Sequence, residues 1–535
     1  MDENDVVENE SIDGLCNTAF LDAYNIERAN QEQQKWKNRI EFFKKMIPTC
    51  LAFALLFVFC CYDNYSGITV VLFQTALPFM AVYMLRKIDH EVRLSSYGFI
   101  AVMALVGISG FFTMNPVVVV LNYCAEFLLL VTLLLHNCAY DYGWDFSKYF
   151  GEIIKSSFWS FVDAISFGPA ADGIYAFRSR SGENKYSKNV WPVILGIIIG
   201  IPFVVILCGI LGSADGVFDE LVSNDLWEII DFDLPIGKIF LFVFALTASY
   251  CGLRYMKEKA LLVTSREVKK HGNVTVITVS VMVTVVYLLF SMIQILFLFA
   301  GNFKLPEGMN YAEYARQGFF QLLFVSAFNL FAVLMVKKHV EQNKLLEVLL
   351  YVITGCTYIM TFSSGFRMMM YIDVYGLTTL RVLVMLSLAL IAVLLVGVIL
   401  KIRNEKFNFF KFGTFVVSAF YIGYAFSHSE YFIAKYNLTN GLNDDTYIYQ
   451  LSSDAIPAIE KYAPNKIYLS DDKTKDEWRE EFQSIPYHTV VYYDNELMND
   501  DDIKTFNLSK AIGNSYDFYG YNSRQRKFIF YGKED

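Results

Sequence analysis

The 535 residues are 55% hydrophobic and 17% aromatic but only 19% charged, with a mean hydropathy of +0.36, which excludes an ordinary soluble protein of this length. The net charge of -9 comes from acidic residues crowded into the first fifteen positions and the last hundred or so, while Lys and Arg sit beside the apolar runs; nothing in that balance suggests a nucleic-acid partner. The nine cysteines end at Cys356, so the C-terminal segment has no disulfide framework, and the adjacent Cys60 and Cys61 fit neither a zinc knuckle nor a CxxC redox pair and read as helix-packing residues. No metal or cofactor is implied.

Residues 1–45 open MDENDVVENESID and stay polar, an expected cytoplasmic and largely disordered tail without the features of a cleavable signal peptide. Crossing a bilayer as helix takes about 20 mostly apolar residues. Eleven runs meet that need, near 46–62, 67–85, 97–113, 116–137, 190–211, 235–256, 274–300, 316–336, 345–364, 379–400 and 409–427. The expected fold class is therefore an all-α polytopic membrane bundle of about eleven transmembrane helices over 46–427.

Positive charge in short loops sets orientation. Lys35, Lys37, Arg39, Lys44 and Lys45 precede the first run; Arg86, Lys87 and Arg93 follow the second; Lys148, Lys155, Arg178 and Arg180 follow the fourth. The series continues with Arg254, Lys257 and Lys259 after the sixth, Lys337 and Lys338 after the eighth, and Lys401, Arg403, Lys406 and Lys411 after the tenth. The intervening CYDNYSG, Asn115-Pro116 and 212–234 connections carry none. This alternation predicts the N-terminus inside and the C-terminus outside, in a cell membrane.

On the inner side, 148–167 places Phe150, Ile153, Ile154, Phe158, Phe161, Val162 and Ile165 at helical spacing with charges opposite. Such a stretch reads either as an interfacial helix or as a helix packed under the bundle. Beyond the last run, residues 428–535 hold 19 acidic against 12 basic residues. TYIYQLSSDAIPAIEKYA and DEWREEFQSI predict helices, the first broken near Ser453, Asp454 and Pro457, and NKIYL, HTVVYYDN and RKFIFYG predict strands. A small extracytoplasmic α+β domain is expected there.

Charged groups in or at the edge of a bilayer cost free energy, so they are the candidate site residues. Glu126 lies near the middle of the fourth run with Asn122 one turn away, either as a proton or cation site or as a hydrogen-bonded carboxyl holding helices together. At the outer edge, Ser213 and Asp215 are placed as caps of a short helix in 211–230, Glu313 and Arg316 precede the core of the eighth run, and FRMMMYIDVYGLTTLR brings Arg367, Asp373 and Arg381 between the ninth and tenth. Asp215, Glu313, Arg316, Arg367, Asp373 and Arg381 are read as one outer polar cluster, which either binds helices together or holds an anionic group such as a lipid headgroup.

SADGVFDELV, EYARQGFFQLLFVSAFNL, RMMMYIDVYGLTTLRV, YIYQLSSDAIPAI and FNLSKAIG, in this order, resemble the bacterial multi-pass membrane proteins grouped as domain-of-unknown-function 4173, with its relative 4153. Gly216 stands where those proteins carry proline, and 464–498 and 515–535 have no counterpart. The resemblance implies a bacterial cell-membrane protein of unassigned role and carries over no catalytic residue. The leading expectation is a nonenzymatic sensor, assembly or regulatory protein, whose partners are the lipid bilayer, an anionic lipid headgroup or other membrane proteins. A small-solute or lipid transporter using Glu126 comes second. A membrane enzyme acting on a lipid-linked substrate, with Asp215, Glu313 or Asp373 as acid or base, comes third.

Overall fold

The computed structural model describes residues 3–139, 141, 144–165, 168–170, 172–173, 236–260, 272–299, 311–442, 445–448, 450–463, 466–469, 490–492, 503–514, 518–522 and 527–531. The predicted span at 190–211, the predicted short helix with Asp215 and the predicted helix DEWREEFQSI lie outside these residues. Among the described residues, eight helices are long and apolar enough to cross a membrane, or nine if a pair bent by 58°, Phe409–Ala425 with Ser429–Thr439, counts as one. Ser96–Ser109 is apolar but shorter than a full span. The protein is thus a multi-pass membrane protein, and its described chain falls into two units, one of 1–62, 83–91 and 156–261, the other of 63–82, 92–155 and 262–535.

In the first unit, α1 is a single helix from Glu3 to Cys61 whose apolar section is Gln33–Cys61. It therefore begins inside the segment expected as a tail. Between Gly14 and Pro48 the sequence has no helix breaker and many Glu, Gln, Lys and Arg residues, which lose little side-chain freedom in a helix. Phe42, Met46, Cys50 and Ala54 repeat every four residues along α1 and are all buried, the stripe that one face of a packed helix requires. α1 packs on Ile236–Ala260, where Tyr250, Cys251, Leu253 and Met256 are buried. There Arg254 bridges Asp163 and, at 2.7 Å, Asp172, and the Tyr250 hydroxyl donates to Asp172 at 2.8 Å.

In chain order the helices after α1 are α2 (Ile68–Lys87), α3 (Ser96–Ser109), α4 (Pro116–Cys138), α5 (Phe146–Ile165), α6 (Ile236–Ala260), α7 (Val274–Phe299), α8 (Tyr311–His339), α9 (Lys344–Tyr375), α10 (Thr379–Arg403), α11 (Phe409–Ala425) and α12 (Ser429–Thr439). In the second unit α9 packs against α7, α8 and α10, around Leu334, Leu346, Leu350, Leu395 and Val398. Helix starts follow local capping chemistry: Asn115 accepts from Val117 N just before Pro116, Asn343 accepts from Leu346 N, Thr378 from Arg381 N and Asn408 from Lys411 N. α7 turns Val286, Leu289, Met292 and Ile293 outward, each at least 59% exposed. A face that apolar suits lipid and would be unstable in water.

α5 presents Phe150, Ile154, Phe158, Trp159, Phe161 and Ile165 as an exposed apolar face, while Tyr149, Glu152 and Ser156 are buried. Beyond α12 come a 3₁₀ turn at Ser453–Ala455, then α13 (Ile456–Tyr462) and α14 (Leu508–Asn514). α12 and α13 share a core of Ile433, Ala434, Ile448, Leu451, Ile456 and Ile459. Strands β1 (Lys466–Leu469), β2 (Val490–Tyr492), β3 (Phe518–Asn522) and β4 (Lys527–Tyr531) pair in the order β1-β4-β3-β2, with β1 parallel to β4 and the other pairs antiparallel.

The C-terminal chain is tied to the connections at the ends of α1 and α3. Ile68 N donates to Phe506 O at 2.8 Å and Leu508 N to Phe111 O at 3.1 Å. Asp454, 5% exposed, accepts from Thr113 Oγ1 at 2.5 Å, from Met114 N at 2.9 Å and from the Ser509 hydroxyl. Glu430 accepts from Ser452 N at 2.8 Å and from its hydroxyl.

Candidate functional site

The N-terminal ends of α3 and α11 stand side by side and, with the loop after α4 and the start of α5, enclose a cavity of about 750 Å³. Arg93, Ser95, His136, Asp141 and Lys411 sit in the loops and helix ends at its mouth, beside Trp144 and Phe410. One and two turns further along the two helices the lining becomes Phe99, Val102 and Phe415 with the hydroxyls of Thr414 and Ser418. Charged side chains therefore line only the loop end of the cavity.

At the mouth three side chains form a relay. Ser95 precedes α3 with helical backbone angles, φ -63° and ψ -20°, and makes no side-chain capping bond. Its hydroxyl lies 2.6 Å from Nε2 of His136, in the last turn of α4. Nδ1 of His136 meets Asp141. With Nδ1–H donating to that carboxylate, Nε2 is left as the acceptor for the Ser95 hydroxyl.

Asp141 also receives Nη1 of Arg93 and the hydroxyl of Tyr149. Burial alone would raise its carboxyl, but the hydrogen bonds from His136, Tyr149 and Arg93 outweigh it and hold the group down to about 2. Three donors leave the carboxylate no freedom to swing away from His136. The surrounding loop is fixed in turn. Asn137 Oδ1 accepts from Arg93 N at 3.0 Å and from Ser96 Oγ at 2.9 Å, its Nδ2 donates to Leu133 O at 2.7 Å, and Tyr149 stacks on Phe410 with ring centres 3.7 Å apart.

The outer residues singled out from the sequence behave differently. α9 does not stop near 364 but continues to Tyr375, so Arg367 and Asp373 belong to a helix and not to a connection. The apolar and long side chains of 366–372 continue the helix, and Gly376, at φ +76°, ends it. Six residues span 600° of helix and put Arg367 and Asp373 on different faces. Arg367 is buried and its Nη2 donates to Gln294 at 3.2 Å, whereas Asp373 is exposed. Arg381 turns back over α9, donating to Tyr375 O at 2.8 Å and Gly376 O at 2.5 Å with its guanidinium 4.3 Å from the Tyr371 ring. That is a helix C-cap. Glu313 and Arg316 fall in the first two turns of α8, their side chains outside the described atoms, and Asp215 lies outside the described residues.

Asn122 is buried, 3.1 Å from Ser109 Oγ and 2.5 Å from the Tyr421 hydroxyl. Glu126 is 3% exposed and neither carboxyl oxygen has a hydrogen-bond partner among the described residues. The relay escaped sequence reasoning because Ser95, His136 and Asp141 share no local motif. The one available signal was the clustering of His136, Asn137 and Asp141 just past an apolar run that needs no polar residue there.

A family model described as Domain of unknown function (DUF4153) matches residues 100–462, more than half of the chain. His136, Asp141, Tyr149 and Lys411 fall inside the match; Arg93 and Ser95 just precede it. No curated protein and no solved structure matches the chain.

Proposed function

The chain belongs to the family described as Domain of unknown function (DUF4153), and from that premise we propose that it binds a membrane amphiphile in the cavity between α3 and α11. The observation that carries this reading is that charged side chains line only the loop end of that cavity while Phe99, Val102 and Phe415 line the other, which matches a molecule with a charged head and an apolar tail. The head sits among Arg93, His136 and Lys411, where the Arg93 and Lys411 cations favour a phosphate or carboxylate, and the tail runs past Phe99, Val102 and Phe415. Loops rich in Lys and Arg surround the mouth, so we assign it to the cytoplasmic leaflet of the cell membrane. The same orientation, with eleven spans in all, puts the C-terminal strands and helices outside as a small α+β domain, and the motif kinship with family 4173 belongs to this reading too.

A membrane protein that holds such a ligand suits a sensor or regulatory role. The test uses Gly98, which lines the cavity and where an added Cβ meets no atom within 4 Å. Native mass spectrometry of the purified full-length protein should retain a bound lipid through mild delipidation, and Gly98→Trp should lose it. Equal retention by both proteins refutes the reading.

A further inference from the structure

We propose that Ser95, His136 and Asp141 hydrolyse a carboxylic ester of the amphiphile bound in this cavity, with Ser95 as nucleophile and His136 as general base. This inference rests on the binding reading above and adds an activity to it. Three observations carry it. Ser95 lines the cavity, and its hydroxyl is 2.6 Å from His136 Nε2. Asp141 holds the opposite ring nitrogen and is itself pinned by Arg93 and Tyr149. The three side chains line one cavity whose apolar end can hold the rest of a substrate.

The chemistry balances with water as the only co-reactant. Ser95 Oγ forms a bond to the ester carbonyl carbon while its proton passes to His136 Nε2 and the carbonyl electron pair moves onto oxygen. Positive charge from Arg93 and Lys411 in the lining favours that developing oxyanion. Collapse breaks the bond to the alkoxy oxygen, which leaves as an alcohol with the proton from His136. Water then attacks the acyl-serine, giving a proton to His136, and a second collapse releases the carboxylic acid and returns the proton to Ser95 Oγ. Asp141 is a positioning residue: it fixes the ring and its tautomer and touches no reacting atom.

The experiment treats purified full-length protein in lipid nanodiscs with a fluorophosphonate and locates the adduct by peptide mass spectrometry. Ser95 should be labelled, Ser95→Ala should abolish the adduct, and His136→Gln should slow labelling by about 100-fold or more. Asp141→Asn should slow it too and displace its pH profile, a change that loss of loop packing alone would not produce. Lipid retention by the same variants reports whether they fold and bind. A wild-type protein that retains lipid but leaves Ser95 unlabelled, or labelling that His136→Gln does not slow, overturns the catalytic inference and leaves the binding reading standing. Labelling of Ser95 without lipid retention has the converse meaning and overturns only the binding reading.

Discussion

Asn507 offers a quantitative test of how the C-terminal chain is held. Its side chain is 0% exposed, and Nδ2 donates to Ser66 O at 2.9 Å and Gly110 O at 2.8 Å while Oδ1 accepts from Ser509 N at 2.9 Å. Asn507→Ala leaves two buried carbonyls without this donor, at about 1 kcal/mol each, and removes the cap of α14, for about 1 kcal/mol more. The sum, roughly 3 kcal/mol, corresponds to roughly a hundredfold rise in local opening. Hydrogen-deuterium exchange of the purified protein should show it as faster exchange across 503–514, with the interior of α9 unchanged. Asn507→Asp should be at least as damaging, because it sets a carboxylate oxygen against two carbonyl oxygens. Protection of 503–514 in Asn507→Ala equal to wild type would refute the assignment of this side chain as the tie.

Gly67→Ala attacks the same contact by another route, since the added Cβ would stand 2.5 Å from Lys504 O and 2.6 Å from Thr505 Cα, both backbone. A loss of about 1–3 kcal/mol in thermal stability is expected, and an unchanged melting temperature counts against the docking. Glu126→Gln removes an ionisable group whose oxygens have no partners among the described residues, so stability should hold or rise by about 1 kcal/mol; a clear loss in a melting assay would show a partner for this carboxyl. Asp141 contributes stability that is complete above its ordinary value of 3.8 and is lost as the pH falls through about 2, roughly 2 kcal/mol in all. In acid titrations followed by tryptophan fluorescence, Asp141→Asn should be less stable at neutral pH and lack this fall between pH 4 and 2, and identical wild-type and variant curves would contradict it.

Much of the bundle was legible from residues alone. The apolar runs depend on composition over short windows, so local chemistry was enough to place them, whereas the caps at Asn115, Asn343 and Asn408 emerged with the structure. The continuation of α9 to Tyr375 was not legible, because hydropathy falls before the helix ends and the count of apolar residues stops where the bilayer does. Arg367 and Arg381 looked like members of one charged cluster for the same reason. Which way each side chain turns depends on helix phase and on neighbours such as Gln294 and Tyr371 that lie far off or on another element.

The motifs SSDAIPAI and FNLSKAIG were visible as words, yet only the fold showed that Asp454 and Ser509 meet each other and the turn at Thr113. The relay is the extreme case. His136 and Asp141 are neighbours in the chain, but Ser95 lies 41 residues before His136, and no periodicity links a loop serine to a histidine on the next helix. By itself the sequence determined that this chain forms apolar helices and on which loops its positive charge lies, because both follow from composition over short windows. The tertiary structure decided which polar residues share a cavity, because that depends on how α3, α4 and α11 pack, and packing is set by contacts between residues far apart in the chain.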